Sequence, residues 1–96
     1  MKFVLASEAL ADIERLRTFL EQENPAAAQR AVSLLNDAVQ SLSLFPARGR
    51  PSGIPGIREL IVPFGRSAYV PRYAHLQNTE TVLILRVWHG REDRNT

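Results

Sequence analysis

The chain has no cysteine, a single lysine, two histidines and few aromatic residues. Without cysteine it can form no disulfide and has neither a thiolate nucleophile nor a thiolate zinc site. No apolar run approaches the roughly 20 residues that a membrane-spanning helix needs. The first residues also lack the basic and apolar segments of a secretory signal peptide. We therefore expect a cytoplasmic protein with no membrane association.

The charged residues are distributed unevenly along the chain. Up to Pro46, four basic residues stand against six acidic ones, whereas the remainder has eight arginines against four acidic residues, a net charge of +4. Arginine binds phosphate and carboxylate groups in bidentate fashion. The basic C-terminal half therefore favours an anionic partner, either nucleic acid or an acidic protein segment, although ordinary scatter in composition is the alternative.

The first half of the chain shows two amphipathic helical patterns. Residues 8–22 carry apolar side chains at i, i+3 and i+4 spacing, with Ser7 as the predicted N-cap. Asn24 and Pro25 predict the start of a second helix, which continues to Phe45 and ends at Pro46. The short link predicts an antiparallel helical hairpin.

The second half predicts strands after a loop. Residues 46–56 contain three prolines and three glycines, a composition typical of a loop. Three strands are predicted over residues 57–64, 67–75 and 81–89, and Pro71 predicts a bulge or an unpaired stretch in the second. Residues 2–5 predict a short strand that lies beside one of these. At 96 residues, the chain is expected to form one domain, residues 1–96.

These elements predict a two-layer α+β fold. An N-terminal short strand and an antiparallel helical hairpin pack on a C-terminal antiparallel β-meander. In the last strand, strict alternation assigns Leu83, Leu85 and Val87 to the core and leaves Arg86 and Trp88 on the open face.

Cationic and aromatic residues of the meander form the candidate binding surface. Its members are Arg58, Arg66, Tyr69, Arg72, Tyr73, Arg86, Trp88, His89 and Arg91. Such a surface could hold phosphates and stack bases, or it could bind an acidic protein partner. Arg58 fits it less well, because strict alternation groups it with apolar Leu60 and Val62. In a catalytic site, His89 would be a general acid or base, and Arg72, Arg86 and Arg91 would stabilise charge on phosphate. The alternative for His89 is a purely structural role. We expect no metal site and no cofactor, since the usual ligand spacings and glycine-rich phosphate loops are missing.

Several short motifs resemble the RelE/ParE superfamily, the toxins of type II toxin–antitoxin systems. They are A-x-x-D-I-x-x-L at 9–16, N-P-A-A-A at 24–28, L-x-x-F-P-A-R-G-R-P at 42–51, G-I-R-E-L at 56–60, Y-V-P-R-Y at 69–73 and I-L-R-V-W-H-G-R-E-D at 84–93. Their order and spacing, more than any single motif, carry the resemblance, which extends over nearly the whole chain. The loop near 45–51 and the C-terminal motif are similar to the ParE branch.

The resemblance implies two alternative activities. ParE-like members inhibit DNA gyrase by binding, whereas RelE-like members are ribosome-dependent mRNA endonucleases that cut without a metal. Val70 stands where RNase-type relatives often carry arginine, and lysine is nearly absent. Both features favour gyrase inhibition over mRNA cleavage. His89 keeps the mRNA endonuclease as the alternative, and a degenerate, inactive toxin is a third possibility.

The resemblance also implies a partner and a biological setting. A cognate antitoxin with an acidic C-terminal segment would fold onto the hairpin and sheet. Toxin and antitoxin would form a hetero-oligomer, in a module of the kind that serves plasmid stabilisation.

Overall fold

The hairpin is built around Asn24, in a computed structural model that describes residues 1–90. Helix α1 spans Ser7–Glu23 and helix α2 spans Pro25–Gln40. The Asn24 Oδ1 atom accepts hydrogen bonds from the backbone N–H groups of Ala26 and Ala27 at 3.1 and 3.2 Å. The predicted cap is therefore confirmed, and Pro25 occupies the first helical position, where a missing N–H costs nothing.

Two predicted helix boundaries are wrong. The residue that caps α1 is Ala6, which offers no side-chain hydrogen bond, and the Ser7 hydroxyl instead donates to the Glu8 carboxylate. Helix α2 ends at Gln40, and the chain continues as a more tightly wound 3₁₀ turn over Ser41–Ser43 before it reaches Pro46. The second helix, predicted to continue to Phe45, was therefore predicted about one turn too long.

The strands form one mixed sheet. They are β1 Lys2–Leu5, β2 Arg50–Pro51, β3 Ile57–Glu59, β4 Val62–Phe64, β5 Ser67–Leu76 and β6 Thr81–His89. The order is β1-β6-β5-β3-β2, and β4 also pairs with β5. The β1 strand runs parallel to β6, and the remaining pairs are antiparallel. The predicted α+β class is confirmed, with the short first strand placed beside the last.

The predicted strand over residues 57–64 is interrupted in its middle. Strands β3 and β4 both pair with β5 in one continuous register, and Leu60 and Ile61 separate them. The gap lies opposite Pro71, which has no N–H to donate, while its carbonyl still accepts from the Leu60 N–H at 2.9 Å. The predicted unpaired stretch is thus confirmed, and the loop at 46–56 contributes the unpredicted strand β2.

A register shift in β6 changes which of its side chains reach the core. Arg72 pairs with Arg86, but Tyr73 pairs with Ile84, so Leu85 is an extra residue. As a result, Val82, Ile84 and Val87 are buried, whereas Leu83 and Leu85 remain partly exposed. The predicted core face was therefore wrong for Leu83 and Leu85 and correct for Val87.

The core lies between the helical hairpin and one face of the sheet. Its buried cluster consists of Ala9, Leu16, Ala31, Leu35, Leu42, Leu60, Val62, Tyr69, Tyr73, Val82, Ile84 and Val87. Two residues of the predicted α1 stripe, Leu10 and Phe19, are instead more than half exposed. Within residues 1–90, no helix has the length and apolar character required to cross a membrane.

Candidate functional site

Arg72 lies on the sheet face away from the helices and is held by a buried carboxylate. Its Nε and Nη2 atoms donate to Glu59 Oε2 at 3.0 and 2.8 Å. The two residues meet because β3 and β5 pair Glu59 directly opposite Arg72. Arg50 also approaches Glu59, with 3.4 Å between its Nη2 and the Oε1 atom. The Arg72 guanidinium is therefore already neutralised by its own sheet.

Arg86 is held in a similar way by Asp12 of helix α1. The Arg86 Nε and Nη2 atoms donate to the Asp12 Oδ2 and Oδ1 atoms at 2.8 and 3.1 Å, and the Val87 N–H donates to Oδ2 at 2.9 Å. Strand β1 pairs with β6 only as far as Ile84, so the Val87 N–H has no strand partner on that side. The Asp12 carboxylate supplies the acceptor that a longer β1 would have provided.

Two opposing effects act on the pKa of Asp12. Burial raises the pKa of this carboxyl, but hydrogen bonds from the Arg86 guanidinium and the Val87 N–H outweigh that effect and hold the pKa below its ordinary value. An amphipathic helix normally carries its charged residues on the solvated side, so the burial of Asp12 is unexpected. Its spacing from buried Ala9 and Leu16 is nevertheless that of one helix face, a signal that could have identified it.

Trp88 lies between the two arginines. The Cζ atoms of Arg72 and Arg86 are 4.7 and 5.1 Å from its ring centroid, within the range of cation–π attraction. The indole is 3% exposed, so its predicted availability on an open face was wrong. We call these residues, Asp12, Glu59, Arg72, Arg86 and Trp88, the arginine–tryptophan clasp.

The two tyrosines of the predicted surface belong to the core. Tyr69 is 2% exposed and packs against Phe64, and Tyr73 is completely buried. The Tyr73 hydroxyl donates to the Pro46 carbonyl at 2.7 Å and accepts from the Gly49 N–H at 2.9 Å. Neither ring presents a face on which a base could stack in this structure.

The remaining predicted residues are dispersed. Arg58 is on β3 and donates through Nη1 to the Gly49 carbonyl at 2.7 Å. His89 ends β6, is partly exposed and meets the Tyr69 ring edge to face, with 5.5 Å between centroids. Arg66 is exposed in the turn between β4 and β5. Arg91 lies outside the described residues. Across residues 1–90, no group of three potential metal ligands is assembled.

An apolar groove, which the sequence did not predict, runs between the hairpin and the β1/β6 edge of the sheet. Its cavity has a volume of about 350 Å³ and is lined by ten apolar residues together with the amides of Asn36 and Gln40. Leu5 and Leu10 lie in its wall and are 46% and 51% exposed. Exposed apolar surface of this kind is typical of a protein interaction site. We call it the hairpin groove.

Comparison with known proteins gives concordant results. Residues 3–94 match the family model described as "ParE toxin of type II toxin-antitoxin system, parDE". The chain is 43% identical over 91 residues to "Toxin RelE1" of Caulobacter vibrioides, covering 95% of each chain. It is 32% identical to "Putative toxin Y4kP" of Sinorhizobium fredii, covering 88% of this chain and 82% of that one.

The fold also resembles a solved structure. A chain from the "Chromosomal ParDE TA system from P. aeruginosa" superposes with a TM-score of 0.73, covering 93% of this chain and 95% of the other. The sequence identity is 24%, so this similarity concerns the fold.

Proposed function

The chain belongs to the ParE toxin family of type II toxin–antitoxin systems, and we propose that it acts by binding DNA gyrase rather than by cutting RNA. An antitoxin is the partner that this family implies. The gyrase target is our proposal. It depends on whether the arginines on the sheet face away from the helices can contact a phosphate group.

The clasp is the observation that supports the proposal. A metal-independent nuclease stabilises the charge that develops on phosphate with cations that are free to contact it. Here Arg72 and Arg86 each donate two hydrogen bonds to the carboxylate of a residue that is only 4% exposed. A phosphate that took over these hydrogen bonds would separate Glu59 or Asp12 from its main partner, at a cost of up to about 3–5 kcal/mol.

One observation favours the alternative, an mRNA endonuclease. His89 is partly exposed at the end of β6, and an accessible imidazole can serve as a general acid or base. In that reading, Arg72, Arg86 and Arg91 would bind phosphate. The similarity to "Toxin RelE1" of Caulobacter vibrioides is consistent with it.

We propose the hairpin groove as the docking site of the antitoxin. An amphipathic segment would place apolar side chains between the helices and the β1/β6 edge, where Leu5 and Leu10 remain exposed. Because the groove lining contains no charged residue, acidic residues of that segment would pair with arginines outside the groove. Binding to the toxin would thus order an antitoxin segment that is disordered when free.

Purified toxin, gyrase and translating ribosomes provide the decisive comparison. We expect wild type and His89→Ala to inhibit gyrase supercoiling equally, and neither to cleave translated mRNA. Rapid mRNA cleavage that disappears in His89→Ala, without inhibition of supercoiling, would instead establish the endonuclease.

Antitoxin docking is tested with two substitutions of exposed leucines. Leu10→Asp places a charge in the hairpin groove and is expected to abolish antitoxin binding. Leu44→Asp alters a residue that is 77% exposed and is not part of the groove lining, so it is expected to leave the affinity unchanged. Equal affinities for both variants would show that the antitoxin docks elsewhere.

A further inference from the structure

A second cavity lies at the opposite end of the sheet from β1. It has a volume of about 730 Å³ and is formed by the loop at 46–56 together with the ends of β3 and β5. Prolines and the isoleucines Ile54 and Ile57 make apolar walls, and Arg58, His75 and Gln77 supply the polar side chains. Ile54 is 50% exposed. We call this cavity the loop pocket.

The loop pocket is held in shape by hydrogen bonds. The segment from Ile54 to Ile57 forms a turn closed by an N–H···O bond of 3.1 Å, with proline second and a glycine of φ +78° third, as a type II turn requires. The Ser52 N–H donates to the Ile57 carbonyl. At the other end of the loop, Gly49 is bonded to both Tyr73 and Arg58. A preformed pocket loses less entropy when it binds a ligand.

The charge of the loop pocket has one sign. Of its lining residues, all of which lie in the described part of the chain, none is acidic. Arg58 donates to a neutral carbonyl and makes no ion pair with a carboxylate of residues 1–90, unlike Arg72 and Arg86 of the clasp. The His75 side chain makes no hydrogen bond within the same residues and lines the pocket from β5. The positive charge of Arg58 therefore remains available to an anion.

We propose that the loop pocket receives an acidic side chain of the toxin's target protein, flanked by an apolar side chain. Arg58 would pair with the carboxylate, His75 would donate a hydrogen bond to it, and Ile54 would cover the apolar neighbour. This combination of an apolar wall with few polar groups is typical of a pocket that fixes one anchor residue of a partner. The inference rests on the proposed function, in that the toxin acts by binding a protein.

Introducing a negative charge into the pocket tests the proposal. Ile54→Asp and His75→Asp place a carboxylate beside the expected one, and like charges in an interface are strongly unfavourable. Each is expected to raise the concentration of toxin needed for half-inhibition of supercoiling by about tenfold or more. Ile61→Asp is the matched control, because Ile61 is 43% exposed and does not line the pocket. Unchanged antitoxin affinity verifies the fold of each variant.

Growth arrest in cells without antitoxin gives a readout that does not depend on the identity of the target. Loss of arrest in the two pocket variants but not in Ile61→Asp supports the pocket. If wild type fails to inhibit gyrase while that pattern holds, the gyrase proposal fails and the pocket stands. Equal arrest by all variants would overturn the pocket. A parallel loss of affinity for single-stranded RNA would mean that the occupant is a nucleic acid, which would also overturn it.

Discussion

The contact between Asp12 and β6 makes the most quantitative prediction. Replacing Asp12 by alanine removes both hydrogen bonds to the Arg86 guanidinium and the acceptor of the Val87 N–H. The aspartate is 4% exposed, whereas the Arg86 side chain is 36% exposed. The substitution therefore leaves a buried N–H without an acceptor and a guanidinium that can partly regain water.

The expected loss of stability follows from these two parts. Removing one partner of a fully buried ion pair costs about 3–5 kcal/mol, and the exposure of Arg86 reduces that figure. A buried N–H left unsatisfied costs about 1–3 kcal/mol. Since the two effects overlap, we expect Asp12→Ala to lower the free energy of unfolding by about 2–4 kcal/mol. For a domain of this size, that corresponds to a decrease in Tm of roughly 10–25 °C.

Urea unfolding followed by circular dichroism measures this loss. Glu14→Ala is the matched control, because it removes the same charge from the same helix and breaks an exposed pair with Arg17, worth less than about 1 kcal/mol. A loss below about 1 kcal/mol for Asp12→Ala would refute the view that this carboxylate replaces a strand partner.

The lowered pKa of Asp12 gives the same prediction a pH dependence. Burial raises the pKa, and the bonds from Arg86 and Val87 more than offset it. A carboxylate whose pKa is lowered by folding stabilises the native state above its unfolded pKa, near 4, and loses that effect as the pH falls through the folded value. The difference in stability between wild type and Asp12→Ala should therefore be constant near neutral pH and shrink below about pH 4.

Three further substitutions test other features. Tyr73→Phe leaves a buried loop N–H without an acceptor, so we expect a loss of about 1–3 kcal/mol in urea unfolding; an unchanged midpoint would contradict this. Asn24→Ala removes the cap of α2 and should cost about 1 kcal/mol, measured as a lower Tm. Glu59→Gln should free Arg72 and delay elution from heparin, relative to Glu21→Gln, which makes the same charge change at an exposed site; equal elution would argue against neutralisation of Arg72 by Glu59.

Local patterns in the sequence predicted much of the fold. Asn24 and Pro25 identified the hairpin turn because a cap depends on neighbouring residues alone. Pro71 identified the interruption of the sheet because proline has no N–H to donate, whichever strand lies beside it. The order of helices and strands could likewise be derived from apolar periodicity.

The candidate surface was predicted less well, because its residues depend on contacts between distant parts of the chain. The extra residue at Leu85 reverses the alternation of β6, and no local pattern announced it. Arg86 meets Asp12 across 74 positions of sequence, so its neutralisation could not be derived from either residue's neighbours. Trp88 is buried rather than open, and two guanidiniums lie within about 5 Å of its ring centroid.

The parallel pairing of β1 with β6 has a consequence for how the toxin is made. Within residues 1–90, strand β1 pairs with β6 alone, and Lys2 lies opposite Thr81. During synthesis β1 therefore stays without this partner until the residues of β6 have been translated, and pairings between such distant segments form slowly. The edge of the hairpin groove is completed only at that point, so a nascent toxin cannot present the whole groove before β6 has been made.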